Sequence, residues 1–90
     1  ERPVLLFVGA ERCVHCRKLW QLLAHEKLSQ RIAQFETRYL DADLHQELAS
    51  DLGVRGLPTL LLITSGQPIS RAPTQYSVAS LLNWLNSVSL

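Results

Sequence analysis

The stretch Pro3-Val4-Leu5-Leu6-Phe7-Val8-Gly9-Ala10-Glu11-Arg12-Cys13-Val14-His15-Cys16 decides how the rest of the chain is read. Its first seven residues are an apolar run of strand length, and Lys18 to Leu28 has a helical pattern, so the only two cysteines fall at a strand-to-helix turn. A helix start leaves backbone N–H groups unpaired and carries the positive end of the dipole, so a thiolate is stabilised there. Cys13, nearer the strand and exposed, is the expected attacking thiol. Cys16, one turn further in and partly covered, is the expected resolving thiol, which displaces the substrate from a mixed disulfide on Cys13.

Two thiols at this spacing can also share a metal ion, or can be reduced core residues with no chemistry. Structural zinc usually needs four ligands, and the three histidines supply no second ligand pair at suitable spacing. Buried free cysteines have no reason to sit at this turn. The expectation is therefore redox chemistry, with no metal and no bound cofactor.

Working outward, Leu19, Leu22, Leu23 and Lys27 fall at helical spacing, with Trp20 beside them, and Leu28 to Ala33 extend this helix or start a new turn. Phe35 to Ala42 reads as a second strand, parallel to the first because a crossover helix joins them. Asp43 is a candidate N-cap for a helix carrying Leu44, Leu48 and Leu52, and Gly53 can stop it. Thr59 to Thr64 is a third strand, Ser65-Gly66 a turn, and Pro68 to Ala72 an antiparallel return at a sheet edge. Ser77 can cap a last helix whose apolar stripe is Val78, Leu81, Leu82, Leu85 and Val88. Trp20 and Trp84, on helices away from the cysteines, are expected to pack in the core. The order is β-α-β-α-β-β-α: an α/β chain with a mixed four-stranded sheet flanked by helices, in a single domain over residues 1–90.

Ninety residues bury a modest core and leave no room for a second domain. The longest apolar runs, Pro3 to Ala10 and Leu60 to Ile63, fall far short of the roughly 20 residues of a membrane span. A net charge of +1 with scattered basic residues gives no footprint for nucleic acid. No signal-peptide pattern is visible, which says little in a chain opening at Glu1, and whatever precedes Glu1 is left open. A monomer is expected. The cysteine usage fits cytosol or an oxidising compartment, a periplasmic or exported location being slightly favoured.

Read beside the cysteine motif, Gly53-Val54-Arg55-Gly56-Leu57-Pro58-Thr59-Leu60-Leu61-Leu62, with Leu40-Asp41-Ala42-Asp43 and Ser65-Gly66, resembles the thioredoxin-like superfamily over most of the chain. The resemblance implies that family's minimal core without its extra N-terminal strand and helix. It also implies a cis bond before Pro58, in a loop facing the cysteines where the backbone of Leu57 pairs with an extended substrate segment. The implied activity is that of a thiol:disulfide oxidoreductase transferring electrons between its dithiol and protein thiols or disulfides, with a redox partner that recycles it.

Three positions depart from the thioredoxin pattern. His15 between the cysteines resembles instead the C-P-H-C of periplasmic oxidases of the DsbA type, and a cationic imidazole there can add to the helix dipole at Cys13. Arg12 stands where thioredoxins have a tryptophan, and with Arg17, Lys18 and Arg55 it would make the rim positive, either for acidic partners or as ordinary solvated charge. Phe7 stands where the family carries a buried aspartate that helps move the resolving cysteine's proton. The direction of the reaction stays open, and the rivals are a cytosolic reductase, a thioredoxin-like binding or chaperone module with incidental thiols, and a metallochaperone.

Overall fold

Every other element is arranged about β1 (Val4–Gly9), an inner strand of the sheet. In the computed structural model, which describes residues 2–88, β1 pairs in parallel with β2 (Glu36–Asp41) and antiparallel with β3 (Thr59–Thr64). β4 (Gln67–Arg71) pairs antiparallel with β3, so the order across the sheet is β2-β1-β3-β4. The inner strands are near-continuous apolar runs because both faces of the sheet are covered. Edge strand β2 instead exposes Thr37, Arg38 and Tyr39. Ser65 and Gly66 both take positive φ, 53° and 76°, the backbone a two-residue hairpin turn needs. Pro68 lies on the edge strand, next to a register shift between Leu62 and Ile63, where proline is tolerated.

One face carries α1 (Val14–Leu23), α2 (Glu26–Ile32) and α4 (Val78–Asn86), whose Leu19, Leu28, Leu81 and Leu85 pack on Leu5, Phe7, Leu60 and Leu62. On the other, Ala49 of α3 (Gln46–Asp51) packs on Leu6, Val8, Leu40 and Leu61. Ser77 caps α4 as expected, in a reciprocal pair with Ser80. The α4 stripe has Val78, Leu81, Leu82 and Leu85 as predicted and gains Trp84, whose Nε1–H donates to Ser70 Oγ at 2.8 Å and ties the helix to β4. Val88, expected in the stripe, packs on the core from beyond the end of the helix.

Three details differ from the sequence expectations. The helix expected over Lys18 to Leu28 starts at Val14 and ends at Leu23; His25 then caps the separate α2 by accepting from the Lys27 N–H, and Lys27 is exposed. Asp43 does not cap α3. The Asp41 carboxylate takes the N–H groups of Asp43 and Leu44, the helix begins three residues after Asp43, and Leu44 and Leu48 are exposed while Ala49 is buried. Gly53, at φ +80°, does follow its end. Trp20 is 51% exposed: it stands one position round the helix from buried Leu19, toward edge strand β2, and lies over Phe7 and Tyr39.

Candidate functional site

Because β1 runs straight into a tight turn, the cysteines are delivered at the start of α1. The Cys13 N–H donates to the Ala10 carbonyl at 3.1 Å, and Cys13 itself is the N-cap, in extended conformation at φ −89°, ψ 109°. Its Sγ accepts the backbone N–H of Cys16 at 3.1 Å. One of the orphan donors of the helix start therefore points at this sulfur, an arrangement that favours an anion. Both cysteines are free thiols.

The two sulfurs sit in different surroundings. Cys13 is half-buried, whereas Cys16 is 2% exposed. Burial first, and a side-chain hydrogen bond between its thiol and the Cys13 sulfur second, push the Cys16 thiol up to about 11. Cys16 is thus held protonated at neutral pH.

Gly9 explains how the buried sulfur is packed. A Cβ there would lie 2.7 Å from the Phe7 ring and 3.1 Å from Cys16 Sγ, so only a glycine lets ring and sulfur share this space. Phe7 stacks on Trp20 with centroids 4.8 Å apart and tilts against Tyr39 at 5.7 Å. An aromatic group therefore borders the buried thiol where the family resemblance implies a carboxylate.

The second loop is fastened by neighbours that the sequence did not reveal. The Leu57–Pro58 peptide bond is cis. The Tyr76 hydroxyl donates to the Pro58 carbonyl at 3.1 Å, and Thr59 Oγ1 donates to the Gly56 carbonyl at 2.7 Å. Leu57 packs against the clusters on both faces of the sheet, and Cys13 packs against one of the same clusters. Burial, then the nearby Cys16, raises the Tyr76 phenol. A tyrosine alone in the connection before a helix carries no pattern by which it could have been singled out.

Arg12 is placed with Leu57 along one cleft of about 280 Å³, together with Asp43, Arg55 and Gly56. Its charge is not free, since Nε and Nη2 reach the two Asp43 carboxylate oxygens at 2.9 and 3.0 Å. Arg17 donates to the Glu11 carbonyl. The ion pair with Asp43 offsets the charge of Arg12 on the rim, while Arg17, bonded to a neutral carbonyl, keeps its own. His15 is exposed and lines a separate groove of about 650 Å³ along α1 with Leu19, Leu22 and Tyr76. Among the described residues, no three His, Cys, Asp or Glu side chains gather in a metal-binding group, and no helix is long and apolar enough to cross a membrane.

The family model described as Thioredoxin matches residues 1–87. The thioredoxin of Mycobacterium tuberculosis is 32% identical over 87 residues, which are 97% of this chain and 74% of that protein. The bifunctional thioredoxin reductase/thioredoxin of Mycobacterium leprae is also 32% identical over 87 residues, and there the chain spans only 19% of the relative's length. Among solved structures, a point mutant of the thioredoxin from Halobacterium salinarum superposes with a TM-score of 0.78 at 29% identity, over 97% of this chain and 74% of that one.

Proposed function

The chain belongs to the thioredoxin family, and from that membership we propose that it is a thiol:disulfide oxidoreductase acting on protein disulfides or dithiols through Cys13 and Cys16. In the reducing direction the Cys13 thiolate attacks a substrate disulfide, one substrate sulfur leaves, and a mixed disulfide remains. Cys16 then attacks Cys13 Sγ, closing the intramolecular disulfide and releasing the second substrate sulfur as a thiolate. The same steps reversed oxidise a dithiol. The sulfurs carry the electrons themselves, so no bound cofactor is required, and a partner protein resets the pair.

The observation that carries this reading is the inequality of the two thiols: Cys13 at the N-cap, taking the Cys16 N–H, and Cys16 buried and held protonated. A substrate strand would lie against the backbone of Leu57 before Pro58, in a short β-augmentation, with Arg12 along the neighbouring cleft. We place the unit in one domain over residues 1–90, acting as a monomer.

Trapping tests the roles. Cys16→Ser should accumulate mixed disulfides on Cys13, since the nucleophile remains and the resolving thiol is gone, and Cys13→Ser should accumulate far fewer. Equal trapping by both variants would overturn the assignment. Insulin reduction and dithiol oxidation by the wild type then decide the direction. If neither assay responds to replacing both cysteines by serine, the chain is a binding module instead.

A further inference from the structure

Resolution asks Cys16 for a thiolate that its burial withholds, and Phe7, beside its sulfur, has no atom that can take a proton. The thiol is not sealed on every side. A cleft of about 360 Å³ reaches it, walled by Ala10, Glu11, Arg17, Trp20 and Tyr39. This volume can hold several waters, and its polar walls can bind them. Glu11 is the one carboxylate on those walls.

The other polar walls fit less well as acceptors. Arg17 is a cation with no acceptor atom, and it donates to the Glu11 carbonyl at 3.1 Å, which fastens the turn carrying Glu11 to the first turn of α1. The Tyr39 phenol is raised, by burial first and then by the charges of Asp41, Cys16, Glu11 and Asp43, so at neutral pH it keeps its proton. Asp41 and Asp43 are engaged elsewhere, with the N–H groups after β2 and with Arg12. Glu11 is exposed and can pass a proton on to solvent.

We infer that Glu11 is the proton acceptor for Cys16 during resolution, an inference that rests on the thiol-exchange function proposed above. The Cys16 S–H proton passes through water in the cleft to the Glu11 carboxylate while the Cys16 sulfur attacks Cys13 Sγ of the mixed disulfide. The Cys13–Cys16 bond forms, the bond from Cys13 to the substrate sulfur breaks, and the substrate leaves as a thiolate with that electron pair. A general base can act through water as well as by direct contact. The role that other family members give to a buried aspartate at the Phe7 position thereby falls to a carboxylate on the turn that leads into α1.

The test mixes the reduced chain with the aromatic disulfide 5,5′-dithiobis(2-nitrobenzoate) in stopped flow. Charging of Cys13 frees a first equivalent of coloured thiolate at a rate proportional to reagent concentration, and resolution by Cys16 releases the arylthio label left on Cys13 as a second equivalent at a rate independent of it. Glu11→Gln should slow release about tenfold, less than the hundredfold or more typical of an enclosed base because Glu11 remains in water. The rate at which Cys13 is first charged should stay unchanged, and Glu11→Asp should restore most of the release rate. Release from Glu11→Gln at the wild-type rate would overturn the inference, as would equal slowing of both steps, which is the mark of a structural defect. Failure of the underlying function looks different: Cys13 would take no label, or Cys16→Ser would release it as fast as the wild type.

Discussion

Tyr76 holds Pro58: its hydroxyl donates to the proline's carbonyl oxygen at 3.1 Å, joining the connection before α4 to the loop that opens β3. Tyr76→Phe removes this hydrogen bond and little else. It should cost about 1 kcal/mol of stability. A loosened loop should raise KM for a protein substrate several-fold while leaving exchange with glutathione disulfide, which needs no extended docking, near the wild-type rate. Steady-state assays with insulin and with glutathione disulfide check the split.

His15 lies in the first turn of α1 between the two cysteines, where a positive charge opposes the thiol and favours the thiolate form of the reduced pair. Replacing it by glycine or proline should therefore make the protein more reducing. If His15 contributes about 1 kcal/mol, the shift is roughly 20 mV toward negative potential, from about 30 mV per 1.4 kcal/mol for a two-electron couple. Equilibration with glutathione buffers measures it, and an unchanged potential would leave the helix start as the source of activation.

Cys16 also makes the reduced protein sensitive to alkali. Its folded value, about 11, lies above the ordinary 9.0, so the native state holds this proton longer than the unfolded chain does. The associated stability is complete below pH 9 and is lost as pH rises from there toward 11. Urea midpoints of the reduced wild type should fall across that window more steeply than those of Cys16→Ser.

The fold was legible wherever its causes are local. The apolar run of β1, the Ser65-Gly66 turn, the Ser77 cap and the Gly53 stop act within a few residues of themselves, and each is found in place. The start of α3 was not legible, because Asp43, the cap suggested by residue type, is engaged by Arg12 from 31 residues away. Periodicity placed Trp20 on α1 but could not tell that this flank has nothing to cover it. In the site, the spacing of Cys13 and Cys16 together with their place at a strand-to-helix turn pointed to the thiols, and the family resemblance pointed to Pro58. Gly9, Glu11 and Tyr76 matter through contacts that exist only once β1, α1 and the Pro58 loop are packed together.

Phe7 shows what the exchange of a carboxylate for an aromatic ring has done to the core. Phe7→Asp would remove the ring on which Trp20 stacks and place an acid among Leu5, Leu19 and Leu60. The loss should be on the order of 3 to 5 kcal/mol, the range for deleting a buried phenylalanine. That is a large share of the stability of a small domain. Chemical denaturation of the two proteins measures the difference.

The unequal burial of the two tryptophans gives the molecule a built-in optical reporter. Trp84 is shielded, so its emission should sit to the blue and track unfolding of the α4 side. Trp20 faces solvent from the same cleft that reaches Cys16, so its emission should sit to the red and respond to the oxidation state of the neighbouring sulfur. A change in fluorescence intensity on reduction that disappears in Trp20→Phe and persists in Trp84→Phe would let the redox cycle be followed in real time without a label.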